Sequence, residues 1–206
     1  MRNKKIHHES ILKAAAEEFR AYGFADASIR RIAKASGMSA SGMYKHFEGK
    51  EDLFAALVEP AVSGFWKLYD SLTEEEYAAI EAAGRGENAQ NVSSTERMLK
   101  YIYSHYEAFK LVVCCSEGTK YASFVHDAAQ MEENNSRAYF EQAKANGFEV
   151  KELPEKEMHL LVTANVNAVV SAIEHDFTEE EAMHYAKTLE LFFTSGWHAV
   201  LGIQTE

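Results

Sequence analysis

Three observations predict an all-α chain. Apolar residues recur at helical spacing along its length, proline occurs only at Pro60 and Pro154, and no stretch alternates with period two long enough to suggest a sheet. With 206 residues and 47% apolar side chains, the chain can bury a proper core in one or two domains.

Each helix has its own signal. Ile11, Leu12, Ala15, Phe19 and Tyr22 line one face of a first helix, which Gly23 closes. Ser28 is placed to cap a second helix, with Ile29, Ile32 and Ala33 facing inward and Gly37 ending it. Met38 and Ser39 turn the chain into a third short helix that runs to about Phe47. Gly49 breaks it, and Lys50 opens a long fourth helix through Leu53, Leu57, Phe65 and Tyr69. The runs "TEEE" at 73–76, "SSTE" at 93–96 and "TEEE" at 178–181 match the capping-box pattern and predict helix starts there. "GRGENAQN" (84–91) reads as a loop. Helices are expected over about 95–115, 119–145, 155–174 and 179–201, the second of these ending at Asn146-Gly147.

The net charge of −11 is unevenly placed. Residues 1–50 hold ten Lys/Arg against five Asp/Glu, a net of +5, while residues 51–206 hold eleven against twenty-seven, a net of −16. A basic head on an acidic body implies that only the head meets a polyanion. The longest uncharged apolar run, Met158–Ile173, has 16 residues and is interrupted by His159, Thr163, Asn165, Asn167 and Ser171. It falls short of the roughly 18–20 residues that span a bilayer. No apolar signal core follows the basic N-terminus, and the adjacent Cys114 and Cys115 cannot staple distant segments, so a cytoplasmic chain with free thiols is expected.

The chemistry concentrates in residues 28–54. A small residue at Ala33 and a glycine four positions later suit a helix-turn-helix, since they allow close helix approach and a sharp turn. At 100° per residue, Met43 and Phe47 share the inward face of the third helix. Ser41, Tyr44 and Lys45 lie opposite, with Gly42 and His46 on the flank. A slim tip followed by hydrogen-bond donors suits a helix entering the major groove.

The block "SIRRIAKASGMSASGMYKHFEGKEDLF", with Ile32-Ala33, Gly37, Ser39, Tyr44, Phe47, Lys50-Glu51 and Leu53, resembles the TetR family of transcriptional regulators. The resemblance implies a three-helix DNA-binding domain over 1–50 and an effector-binding and dimerisation domain over 51–206. It implies that Ser28 bonds a phosphate and that Ser39, Ala40, Ser41 and Gly42 form the tip approaching the bases. Tyr44, Lys45 and His46 would contact backbone and flanking bases, and Lys50 would add charge at a helix N-terminus. At the tip the chain departs from the family pattern, with Ser41 where Gly is frequent and Gly42 where Thr or Ala is.

In the body, Val162, Val166, Val169 and Ile173 form one stripe and Leu189, Phe193, Gly196 and Val200 another, on two helices apolar enough to cover both the body and a second copy. The family resemblance adds an effector pocket among the aromatics, for which Phe65, Tyr69, Tyr101, His105, Phe109 and Cys114 are the candidates. Adjacent Cys114 and Cys115 could instead sense oxidants or soft metals, or act as an enzyme's nucleophile. Neither an activating basic partner nor a C-x-x-C spacing accompanies them, so small hydrophobes near a helix end are the preferred reading. No cofactor and no metal site is expected. The expected protein is a non-enzymatic, homodimeric repressor that binds operator DNA and is released by a small molecule. The alternative is a DNA-bound regulator whose signal is a partner protein or thiol chemistry.

Overall fold

The computed structural model describes residues 2–85 and 93–202, with side chains from His7 onward. Among these the chain is all-helical: α1 (Arg2–Asp26), α2 (Ile29–Ala35), α3 (Ala40–Met43), α4 (Lys50–Gly84), α5 (Ser94–Ser104), α6 (Tyr106–Cys115), α7 (Phe124–Ala145), α8 (Glu155–Glu174) and α9 (Glu179–Leu201). They form two compact units, one of Met1–Gly64 with His105–Phe124, the other of Phe65–Ser104 with Val125–Glu206. Helix α4 contributes residues to both, the units dividing it between Gly64 and Phe65.

In the first unit Ile11, Ala15 and Phe19 of α1 are fully buried, as their spacing predicts. Tyr22, assigned to the same stripe, is exposed, and its ring lies 4.2 Å beneath the Arg31 guanidinium. Gly23, at φ 70° and ψ 168°, interrupts the helical geometry where the sequence closes the run. Phe19, Phe24 and Phe54 pack at centroid distances of 5.1–5.8 Å, and Tyr121 extends the cluster 5.8 Å from Phe54. The buried Glu18 accepts from Arg31 Nε and from the Ser28 N–H, both at 2.7 Å. Burial raises its pKa, but the Arg31 and Ser28 hydrogen bonds and the Arg31 charge outweigh that and hold the carboxyl below its ordinary value.

Gly37 is the residue on which the head turns. At φ 73° it ends α2 in a Schellman motif, its N–H reaching the Lys34 carbonyl at 3.2 Å while Met38 reaches Ala33 at 2.9 Å. Beyond α3 the chain follows a tighter course than the predicted helix to Phe47. The α-helix covers only Ala40–Met43, and the bonds from Lys45 to Gly42 and from His46 to Met43 span three residues. Met43 and Phe47 are nevertheless both buried in the core.

Three expected boundaries shift. The "TEEE" at 73–76 starts no helix, because α4 runs through it. Burial of Leu72 and Ile80 on either side rewards continuation, and the Thr73 hydroxyl is occupied by Asn135 Nδ2 at 3.2 Å. The helix expected over 95–115 breaks at His105 (φ −126°, ψ 31°), where Ser104 Oγ has turned back to the Tyr101 carbonyl at 2.7 Å. The helix expected from 119 begins at Phe124, because Thr119 Oγ1 both donates to the Ser116 carbonyl and accepts from the Tyr121 N–H, building a side-chain turn. The loop expected at 84–91 falls mostly outside the described residues.

In the second unit α9 packs on α5 and α8. Ser93 caps α5 by accepting from Glu96 N at 3.2 Å. Thr178 and Glu181 form the full reciprocal box that starts α9, and Gly202, at φ 71°, ends it. Asn146-Gly147 terminates α7 as expected, with Gly147 at φ 90°. No described helix is long and apolar enough to cross a membrane.

Candidate nucleic-acid interface and ligand cavity

Helices α2 and α3, joined by the Gly37 turn, present one polar edge. Ser39 caps α3, its Oγ accepting from Gly42 N at 3.1 Å and lying 3.2 Å from Ser41 Oγ. A Cβ at Gly42 would stand 3.1 Å from that same Ser39 Oγ and 3.4 Å from Met38 Cε, so a side chain there would press on the cap. Ser41, Tyr44 and Lys45 are exposed, Tyr44 by 57%, while Ala40, Gly42 and His46 are half-buried. Ser28 is half-buried at the start of α2, where its hydroxyl makes no capping bond and its N–H is held by Glu18. Lys50 is engaged within the head: Nζ donates to the Ala25 carbonyl at 2.8 Å and sits 4.4 Å over the Phe24 ring. It therefore ties the start of α4 to the end of α1. Arg30 and Lys34, exposed on α2, extend the basic edge. They are the polar positions flanking Ile32-Ala33 in the helical pattern, a signal that the sequence carries but that the family motif does not single out.

The second unit contains a cavity of about 850 Å³ between α4, α7, α9 and the chain around Gly147–Val150. Tyr77, Tyr139, Phe140, Phe193 and Trp197 supply its rings, and Glu76, Glu132, Glu149 and Glu190 its carboxylates; no Lys or Arg is among its described lining residues. Phe140 packs between Tyr139 and Trp197, at centroid distances of 5.9 and 6.2 Å. Below the rings runs a hydrogen-bonded chain: Tyr69 donates to Glu132 Oε2 at 2.7 Å, and Asn135 Nδ2 donates to Tyr69 Oη at 2.9 Å. Burial pushes the Glu132 carboxyl up, the Tyr69 hydrogen bond offsetting part of the rise and the Glu76 charge adding to it. Burial and the Glu132 charge likewise push the Tyr69 phenol up.

Of the six residues expected in an effector pocket, Phe65, Tyr69 and Tyr101 belong to the second unit, and His105, Phe109 and Cys114 to the first. None lines the cavity itself, although Tyr69 reaches it through Glu132. Phe109 is fully buried, 5.9 Å from Phe124. Cys114 is exposed and Cys115 buried, neither forms a disulfide, and burial followed by the Cys114 neighbour pushes the Cys115 thiol up. Among the described residues no three His, Cys, Asp or Glu converge to hold a metal ion.

The residues expected at a dimer interface divide by burial. Val162, Ile173 and Leu189 are buried, Val166, Val169 and Phe193 half-buried, and Gly196 and Val200 exposed; Leu189 and Phe193 line the cavity. The large apolar side chains left open on α8 and α9 are Leu160 (65% exposed), Leu161, Leu191 (72%), Phe192 (70%) and Val200. Val200 belongs to a predicted stripe, and the other four lie beside the stripes, because an all-round apolar helix does not reveal which stripe its own unit covers.

Residues 11–57 match the family described as bacterial regulatory proteins, tetR family. An uncharacterized HTH-type transcriptional regulator of Bacillus subtilis (strain 168), YdgC, is 38% identical over 76 residues. That stretch covers 36% of this chain and 39% of the relative, so the similarity spans well under half of either. The fold is shared over nearly the full length with the TetR family regulator PfmR from Thermus thermophilus (TM-score 0.58, 19% identity, 91% of this chain and 97% of that one). It is shared to a similar degree with the transcriptional regulator FadR from Bacillus subtilis, solved in complex with stearoyl-CoA (TM-score 0.56, 13% identity, 91% and 98%). The chain thus carries a tetR-family helix-turn-helix head over residues 11–57 and shares its all-α fold with solved regulators of that family.

Proposed function

We propose that the protein is a sequence-specific DNA-binding transcriptional repressor, a homodimer released from its operator by a small molecule. The observation that carries this reading is the α2–α3 edge, where a Gly37 turn and a Ser39 cap hold Ser41, Tyr44 and Lys45 outward on a buried base of Met43 and Phe47. Residues 1–50 are the DNA-binding part and residues 51–206 the effector-binding and dimerisation part. Ser28, Tyr44, Lys45, His46 and Lys50 meet phosphates and flanking bases, and Ser39–Gly42 approach the base edges. Lys50 also secures the head through Ala25 and Phe24, so its replacement weakens both binding and the head.

The open apolar set on α8 and α9 is the surface for a second copy, giving two heads for two half-sites. The cavity of the second unit is the effector site. Stearoyl-CoA, the ligand in the B. subtilis FadR structure, carries phosphates that no Lys or Arg among the described lining residues would meet. A ligand of another chemistry is expected here. Bound against Tyr77, it acts on α4, the helix that begins at Lys50. The exposed apolar side chains, rather than the cysteines, support a dimeric regulator, and a raised thiol pKa makes Cys115 a poor nucleophile.

Selection of bound duplexes from a random pool, followed by salt titration of the winner, tests the reading. Enrichment of a two-half-site sequence, with affinity falling steeply as salt rises, is expected. A pool that never enriches would overturn it. Leu191→Glu, which sets a charge into the proposed dimer face, should give monomers by sedimentation and lose the two-half-site operator.

A further inference from the structure

The cavity of the second unit is specific in its chemistry as well as its size. Its volume, about 850 Å³, falls in the range that encloses a drug-sized molecule. Tyr77, Tyr139, Phe140 and Trp197 turn aromatic surface toward it, and Glu76 and Glu132 place carboxyl groups on the same wall. An aromatic ring face carries the negative end of its quadrupole, so rings and carboxylates favour the same guest.

We propose that this cavity takes a lipophilic organic cation, a bulky aromatic amine or an onium ion, held by the ring faces and by Glu132 and Glu76. The inference rests on the reading of the cavity as the effector site and names the class of that effector. An anion of the same size would meet four carboxylates with His198 as the one basic side chain among the described lining residues. A neutral guest would gain the apolar burial and nothing more. The Tyr69 hydroxyl fixes one oxygen of Glu132 from behind, which orients the carboxyl without neutralising it. The chain supplies Arg31 to its buried Glu18 in the first unit, but among the described residues no basic side chain pairs with Glu132; a guest cation fills that role.

The test uses probes matched in shape and different in charge: tetraphenylphosphonium, tetraphenylborate and neutral triphenylphosphine oxide. The full chain carries Trp66→Phe, so that Trp197 on the cavity wall is the single tryptophan reporter. Quenching by the phosphonium is expected at least about tenfold more tightly than by the neutral probe, with the borate weakest. Glu132→Gln should weaken the phosphonium by about tenfold and leave the neutral probe unchanged. Glu76→Gln, at an exposed position, should act in the same direction and covers the case in which the Glu132 variant does not fold. Borate or neutral binding as tight as the phosphonium, or phosphonium affinity untouched in both variants, would overturn the charge preference while leaving the cavity as an effector site. If no probe of any charge quenches Trp197 in a chain that still binds its selected duplex, the effector-site reading falls as well, while DNA binding stands.

Discussion

Glu18 and Glu59 in the first unit and Glu132 in the second show how differently the two units treat a carboxylate. Glu18 is buried against Arg31, and Glu59 is met by Lys120, Tyr121 and Ser63, which together hold it at about 2. Glu132 is half-buried with a phenol for a partner and is pushed up instead. The surroundings differ in the same sense. The first unit fills its interior with Phe19, Phe24 and Phe54, whereas the second lets Tyr139, Phe140 and Trp197 border empty space. A domain that must hold one shape against DNA gains from closed packing and matched charges. A domain that must respond to a guest has to leave room and leave a charge to be matched.

Truncating one ring in each unit should break the comparison most visibly. Phe54→Ala removes a fully buried side chain at the centre of the first unit's aromatic cluster, and a loss of about 3–5 kcal/mol is expected. Phe140→Ala removes a half-buried ring whose far side already faces the cavity, so no more than about 2 kcal/mol should be lost. Urea denaturation followed by circular dichroism compares them. Equal losses would mean that the second unit is as tightly filled as the first.

The pH dependence of stability should separate the carboxylates by sign. Glu59 is lowered in the fold, so its contribution is present above its ordinary value near 4.5 and is lost as pH falls toward about 2. With Lys120 69% and Glu59 45% exposed, solvent screens the pair and the effect is small. Glu132 is raised, so the native state holds its proton more firmly than the unfolded chain. Its contribution is present below 4.5 and is lost as pH rises through the folded value. Glu132→Gln should therefore gain stability relative to the parent as pH rises from 4.5, and Glu59→Gln should lose its deficit as pH falls below 4.5. A Glu132→Gln difference that stays flat with pH would show that the carboxyl is not perturbed by burial.

The same contrast explains what the sequence disclosed. Turn chemistry is local, so Gly37, the Ser39 turn and the Thr178–Glu181 box could be read from a few neighbouring residues. "TEEE" at 73–76 has the same local signature as 178–181, yet the burial of Leu72 and Ile80 decides that the helix continues. The break at His105 was hidden because Tyr101, His105 and Phe109 keep helical spacing across it. Tyr77, Tyr139, Phe140 and Trp197 carry no mark in the sequence that separates a cavity wall from a packed core. A half-buried aromatic has the same periodicity in either place, and the difference lies in what stands opposite it.

The smallest expected effect bears on the division of labour between the units. Lys45 is an exposed cation on the α2–α3 edge, and in the proposed complex it neutralises one phosphate per head. Its removal should release fewer counterions on binding, so Lys45→Ala should lower the slope of log affinity against log salt by about 1 for each head. Because a phosphate carries no base identity, the loss should be uniform across duplex sequences and leave the ranking of selected operators unchanged. Glu76→Gln also removes one charge, but from the cavity of the second unit, and should leave the salt slope where it was. Titrations of both variants at several salt concentrations measure this directly. A reduced slope in Glu76→Gln, or an altered operator ranking in Lys45→Ala, would show that charge is not partitioned between the units in this way. An unchanged slope in Lys45→Ala would remove this residue from the phosphate contacts and leave Arg30 and Lys34 of α2 as the cations to replace next.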